Sequence, residues 1–230
     1  MKEHIYTIPL TEATRENCGC VLCTIEKKLE EQALEYFLGP SLMEPDGREL
    51  TNRKGFCKKH FDAMLVRNNR LGLALMLETH LRETLGKLEV KKKVGLFSKA
   101  TDASLTAENV CSMVNSCALC DNISAQMKAV ANNLAYLWGK EDEFKKNFEA
   151  SSGLCLKHTA LAIEQSDSIG GKKNGEYIDM LLGMQRGRLS ELEEKVHLFT
   201  LSFDYRNAGV KLSEDEVNSV ADAIKNLSEY

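Results

Sequence analysis

Cysteine is written into this chain in a pattern that occurs twice. Cys20 and Cys23 form CVLC, and Cys57 and His60 close the phrase GFCKKH. Further on the same order returns: Cys117 and Cys120 form CALC, and Cys155 and His158 belong to GLCLKH. Cys23 and Cys57 are 34 positions apart, Cys120 and Cys155 are 35. The copies are offset by 97 positions at the first cysteine and 98 at the third. Eight residues of metal-binding type in matched order mark a duplicated unit.

The spacing carries the chemistry. A Cys-x-x-Cys turn lets both sulfurs face one ion, and Cys-x-x-His at a helix start puts a thiolate and an imidazole on one face. The helix N-terminus favours the thiolate. Three thiolates and an imidazole make a tetrahedral Cys3His sphere, closed by protein donors, as in structural zinc sites. Each copy is therefore expected to hold one Zn2+, two per chain: Cys20, Cys23, Cys57 and His60 in the first, Cys117, Cys120, Cys155 and His158 in the second. An iron–sulfur cluster is the alternative for the same residues. A thioredoxin-like redox pair wants a βαβ setting, which the sequence lacks, and haem attachment wants Cys-x-x-Cys-His.

Cys18 and Cys111 stand outside the pattern. Cys18 competes with Cys20 as a donor but has no counterpart in the second copy, and Cys111 reads as a small buried hydrophobe. His80 reads as a packed or half-exposed side chain, His197 as packed, and His4 belongs to a loose terminus. Glu44, Asp46 and Glu49 read as a solvated acidic loop, and residues 203–207 as helix-end packing. No P-loop, dinucleotide fingerprint, nucleophile elbow or His-Glu-x-x-His occurs.

Helix is the expected vehicle. The three prolines lie at positions 9, 40 and 45, and none follows. Apolar residues recur at helical spacing: Leu22, Ile25, Leu29, Ala33; Leu77, Leu81, Leu85, Leu88; Ile123, Met127, Val130, Leu134, Leu137; Tyr177, Leu181, Met184, Leu192, Val196, Phe199, Phe203. Ser213 with Glu216 reads as a capping box opening a last helix striped by Val217, Val220, Ile224 and Leu227. Residues 39–55 read as a turn-rich loop, 91–109 as a polar linker, and 166–175 as a glycine-marked break. The expected fold is all-α, two tandem pseudo-repeats each organised around a Cys3His metal site. The expected organisation is a first unit at 1–90, a linker at 91–109, a second unit at 110–208 and a C-terminal capping helix at 209–230.

Net charge is −4 and the isoelectric point about 5.8. That weighs against a general nucleic-acid or anionic-membrane binder, although Lys91, Lys92 and Lys93 form a short basic run. The start lacks the apolar core of a secretory signal, and no stretch reaches the length of a membrane span. A cytosolic setting follows as an expectation, and eight cysteines in a reducing compartment point to metal.

The phrases YTIPLTEA, CVLC, LGPSLMEPDGRELTNRKGFCKKHF, NNRLGLALMLETHL, CALC, YLWGKEDEF and GLCLKH, in that order, resemble the bacterial domain-of-unknown-function family 6062. The resemblance runs to about FDYRN at 203–207 and leaves the tail from Gly209 outside it. It implies a bacterial cytosolic setting and no particular reaction. Two functional expectations follow. The first is a zinc-held helical scaffold that binds a protein or small-molecule partner. The second is a thiol-redox or metal-sensing protein, or an enzyme, that uses one cysteine cluster.

Overall fold

The computed structural model describes residues 7–16, 19–89, 101–207 and 211–228. Those residues form α1 (Ile8–Glu16), α2 (Val21–Leu38), α3 (Pro45–Lys54), α4 (Lys58–Leu65), α5 (Arg70–Lys87), α6 (Ala103–Val114), α7 (Ala118–Lys140), α8 (Asp142–Glu149), α9 (Leu156–Glu164), α10 (Gly171–Leu201) and α11 (Glu214–Leu227). No strand occurs among the described residues, so the all-α reading holds. His4, Cys18 and Lys91–Lys93 lie outside the described residues.

The chain folds as two compact units. One comprises residues 1–27 and 126–230, the other residues 28–125. The divisions fall inside α2 and α7, whereas the sequence repeat divides at 91–109. Each unit therefore draws on both copies of the repeat.

In the first unit, α1 packs on α8, and α9, α10 and α11 pack on one another. Phe144 and Phe148, one turn apart on α8, are stacked and buried. Trp138 of α7 meets the buried Tyr177 of α10 with ring centroids 5.1 Å apart. In the second unit, Phe56 stands edge-on to both Phe37 and Phe61, at 5.3 and 5.5 Å. Met64, Leu73 and Met76 complete that core.

Several elements differ from the sequence expectation, each for a physical reason. Residues 39–55 are not an open loop. Pro40 starts a short 3-10 turn, and Pro45 occupies the first position of α3, where its missing N–H is no loss. The turn signals mark helix starts, and α3 is held against α5 by Arg48, whose Nη2 donates to Leu75 O and Thr79 Oγ1 at 3.1 and 3.0 Å. The polar stretch 91–109 is helical from Ala103, where Asp102 caps α6 by accepting from Leu105 N. Residues 171–175 belong to α10, which tolerates its two glycines there.

Two of the stripes are helical, as their spacing predicts, and lie mostly at the surface. On α5, Leu81 and Leu85 are exposed, as is Leu88 at its C-cap, while Leu73 and Met76 are buried. On α11 the Ser213–Glu216 capping box is present. Yet Val217, Val220, Ile224 and Leu227 are all exposed, and the buried residues are Ser219 and Asn226. A hydrogen-bonded chain sets that orientation: Thr159 Oγ1 donates to Gln185 Oε1 at 3.4 Å, and Gln185 Nε2 to Asn226 Oδ1 at 2.7 Å. Cys111 is exposed rather than buried, since α6 buries none of its residues. His197 is exposed as well, on the outer face of α10. His80 is half-buried as expected, its Nδ1 donating to Asn52 O at 2.8 Å.

Candidate metal centres

The eight pattern residues gather into two groups of four, and each group takes its parts from both copies. Cys20 and Cys23 meet Cys155 and His158, and Cys117 and Cys120 meet Cys57 and His60. The repeat suggests that each Cys-x-x-Cys pairs with the Cys-x-x-His that follows it. The structure instead exchanges them, which corrects the expected pairing while keeping all eight residues. The first group lies wholly within the unit of residues 1–27 and 126–230, and the second within residues 28–125.

Each half-site is local. Val21 and Ala118 open their helices directly behind the first cysteine of each Cys-x-x-Cys. The backbone N–H of the second cysteine donates to the sulfur of the first, Cys23 to Cys20 and Cys120 to Cys117, both at 3.4 Å. Cys57 and Cys155 are the N-cap residues of α4 and α9, in extended conformation. One helical turn later His60 and His158 turn Nδ1 towards the sulfurs.

The half-sites are joined by backbone. Val21 N donates to Gly153 O at 3.3 Å, and Ala118 N to Gly55 O at 3.0 Å. This explains the glycine that opens each Gly-apolar-Cys-x-x-His phrase. Gly55 has φ 60° and ψ −154° and Gly153 has φ 72°, conformations that L side chains rarely adopt. A Cβ on Gly55 would also fall on the His80 imidazole, whereas one on Gly153 would meet the movable end of Met184 at 3.2 Å. Gly55→Ala should therefore lower stability by about 3 kcal/mol, roughly 6–12 °C in melting temperature for a chain of this size. Gly153→Ala should lose about 1–2 kcal/mol. Calorimetry of the two variants side by side checks both the sizes and their order.

The distances suit one ion per group. Around a tetrahedral zinc with sulfur at about 2.3 Å and nitrogen at about 2.0 Å, sulfurs stand roughly 3.8 Å apart and sulfur and nitrogen roughly 3.5 Å. Cys23 Sγ and Cys155 Sγ are 3.7 Å apart, and Cys57 Sγ and Cys120 Sγ 3.8 Å. His158 Nδ1 lies 3.3 Å from the sulfurs of Cys20, Cys23 and Cys155. His60 Nδ1 lies 3.2, 3.3 and 3.4 Å from those of Cys57, Cys117 and Cys120. Sulfur separations of this size are far longer than the ~2.05 Å of a disulfide. An iron–sulfur cluster binds its cysteines to different irons and spreads them further than donors that share one ion. Here all four donor atoms of each group lie within 4.8 Å of one another.

A second layer, unseen in the sequence, orients the histidines. His60 Nε2 stands 3.0 Å from Glu30 Oε1, and His158 Nε2 3.3 Å from Glu26 Oε2. Each carboxylate also takes the lysine that precedes the histidine: Lys59 Nζ at 2.8 Å from Glu30, and Lys157 Nζ at 2.9 Å from Glu26. His158 beside it holds the Glu26 carboxyl down to about 2, with help from Lys157 and against the effect of burial. At Glu30 burial is the largest influence and opposes charge, but Lys59 and His60 outweigh it and the carboxyl is held below its ordinary value. Glu30 on the far nitrogen of His60 fixes the tautomer that leaves Nδ1 free to bind a metal, while Glu26 faces the far nitrogen of His158 as an ion-pair partner without a hydrogen bond.

Both carboxylates come from α2, one turn apart. The positions 97 residues on are Ile123 and Met127, so the duplication does not repeat this feature. The available signal was the lysine before each histidine, in KKH and LKH, which calls for an acidic partner. Glu26→Gln should weaken zinc binding at Cys20–His158 about 10–100-fold. Competition against a chromogenic chelator measures it.

The two groups differ in exposure. Cys20, Cys155 and His158 are buried and Cys23 is half-buried. In the other group His60 and Cys117 are buried, Cys57 is half-buried and Cys120 is exposed. Met184 of α10 lies over Gly153 in the first unit, whereas α4 and the start of α7 leave the second group open on the Cys120 side.

Comparison with curated proteins and with solved structures gives no match. A family model described as a family of unknown function, DUF6062, matches residues 1–229, including the tail from Gly209 that the sequence phrases left outside. The chain belongs to that family.

Proposed function

We propose that the protein is a helical scaffold held together by two structural zinc ions and that it acts as a binding or interaction protein. The observation that carries the reading is that each group supplies four protein donors at tetrahedral spacing, with the imidazole backed by a Lys–Glu pair. Four protein donors fill the zinc sphere and leave no position for a substrate, which is the mark of a structural rather than a catalytic ion. Cys20, Cys23, Cys155 and His158 hold one ion. Cys57, His60, Cys117 and Cys120 hold the other.

Exposed apolar surface supports the interaction role. Val217, Val220, Ile224 and Leu227 line one face of α11 in the first unit. Leu81 and Leu85 of α5, Leu88 at its C-cap, and Val110 and Val114 of α6 are exposed in the second. Apolar stripes left uncovered at helical spacing are surfaces that partners use. No helix among the described residues is long and apolar enough to cross a membrane, and we place the protein in the reducing cytosol, where thiolate sites persist.

Elemental analysis of protein purified without added metal should find about two zinc ions per chain in a colourless preparation. Iron with visible absorption, or less than about one metal per chain, would overturn the reading.

A further inference from the structure

We propose that the Cys57–His60–Cys117–Cys120 site is a peroxide-reactive site, with Cys120 as the attacked sulfur and Cys57 as its resolving partner. The inference rests on the zinc reading above and adds a reaction that only one of the two sites performs.

The two sites offer the same four donors, with the Cys-x-x-Cys pair first along the chain in one and the Cys-x-x-His pair first in the other, so their intrinsic chemistry is alike. Access separates them. Cys120 is the exposed member of its group, and the matching Cys23 is half-buried. Cys57 is half-buried, and the matching Cys155 is buried. The two more accessible sulfurs of the second site are also neighbours, 3.8 Å apart. Zinc keeps a cysteine as thiolate, the nucleophilic form, and an exposed zinc thiolate is open to a small oxidant that a buried one excludes. Cys111 is exposed too, but no second sulfur stands beside it in the described structure, and it has no metal to hold it as thiolate.

The step uses a hydroperoxide as oxidant. The Cys120 thiolate attacks one peroxide oxygen, the O–O bond breaks, and hydroxide leaves, giving a sulfenic acid at Cys120. The Cys57 thiolate attacks that sulfur, the S–O bond breaks, and a second hydroxide leaves as the Cys57–Cys120 disulfide forms. Two sulfurs are each oxidised by one electron, the peroxide is reduced to two hydroxides, and Zn2+ departs because two of its four donors are gone. His60 and Cys117 remain. Reductant and zinc reverse the change.

The test uses full-length, zinc-loaded protein freed of reductant. Hydrogen peroxide is added in the presence of 4-(2-pyridylazo)resorcinol, which reports released zinc. One equivalent of zinc should be released at least ~10-fold faster than the other. Peptide mass spectrometry at the end of the fast phase should find a Cys57–Cys120 disulfide, with Cys20, Cys23 and Cys155 still reduced. The Cys111→Ser variant should show the same fast phase. Equal release of both ions, earlier release from the Cys20 site, a Cys117–Cys120 disulfide, or loss of the fast phase in Cys111→Ser would each overturn the proposal. Zinc content before peroxide separates the two failures: absence of zinc overturns the scaffold reading as well, whereas two ions released together overturn only this inference.

Discussion

Replacing Cys155 with serine should free Cys20 and Cys23, and leave Cys117 and Cys120 bound. The repeat alone leads to the opposite result, because Cys155 follows the Cys117–Cys120 pair in its own copy. The structure places the Cys155 sulfur 3.7 Å from Cys23 and the His158 nitrogen 3.3 Å from both Cys20 and Cys23. Zinc content should fall from about two to about one. Mild alkylation followed by mass spectrometry should label Cys20 and Cys23 and spare Cys57, Cys117 and Cys120, apart from slow labelling at the exposed Cys120. Cys57→Ser should give the mirror image, with Cys117 and Cys120 labelled and Cys20, Cys23 and Cys155 spared. The stability effect should be large. Structural zinc contributes about 10 kcal/mol or more of folding free energy in small domains. A whole domain is stable by only about 5–15 kcal/mol. Loss of one donor should therefore loosen the unit that holds that site, seen as a separate, earlier melting transition. Labelling of Cys117 and Cys120 in the Cys155 variant would show the same-copy pairing and sink the exchanged one.

The pairing was hidden because the two kinds of half-site are local and their union is not. A Cys-x-x-Cys turn and a Cys-x-x-His helix start are each legible from four residues. Two of each can combine within a copy, 34 or 35 residues apart, or across copies, and the four-residue patterns are the same in both cases. The choice is made by contacts distant in sequence, such as Val21 N to Gly153 O. Helices were legible for the same reason as the half-sites, through local periodicity, as with Ile123, Met127, Leu134 and Leu137 of α7, all buried. The outward turn of α11 was not legible. Its apolar stripe predicts a buried face, and only the partnership of Asn226 with Gln185, 41 residues away, sets the other face inward. Residues 39–55 failed on the opposite count: proline and glycine signal a break, but at the first helical position proline starts a helix instead.

Stripping both ions with a strong zinc chelator should leave a chain that does not melt cooperatively at all. The two sites close very different stretches of chain, and the order in which they empty decides which effect governs. Cys23 and Cys155 are 132 residues apart, Cys57 and Cys120 only 63. The difference in closure entropy between loops of those lengths is about 0.7 kcal/mol, roughly threefold in affinity, and it favours the shorter loop. Burial acts the other way. The Cys20–His158 group has three buried members and no exposed one, while the other group has Cys120 at the surface. A chelator removes zinc by taking over donors one at a time, which an exposed sulfur permits and a buried cluster requires partial unfolding to allow. Exposure should therefore decide the kinetics, with the Cys57–Cys120 ion leaving first although its loop is shorter. Helical circular dichroism should then fall in two steps. The first, small step accompanies the fast ion. The second and larger step comes with the buried ion, whose unit contains α8, α9, α10 and α11. Stopped-flow release monitored beside ellipticity at 222 nm makes the comparison. If the Cys20–His158 ion leaves first, loop length rather than access sets the rate. If ellipticity and melting temperature are unchanged with both ions gone, zinc does not hold the fold.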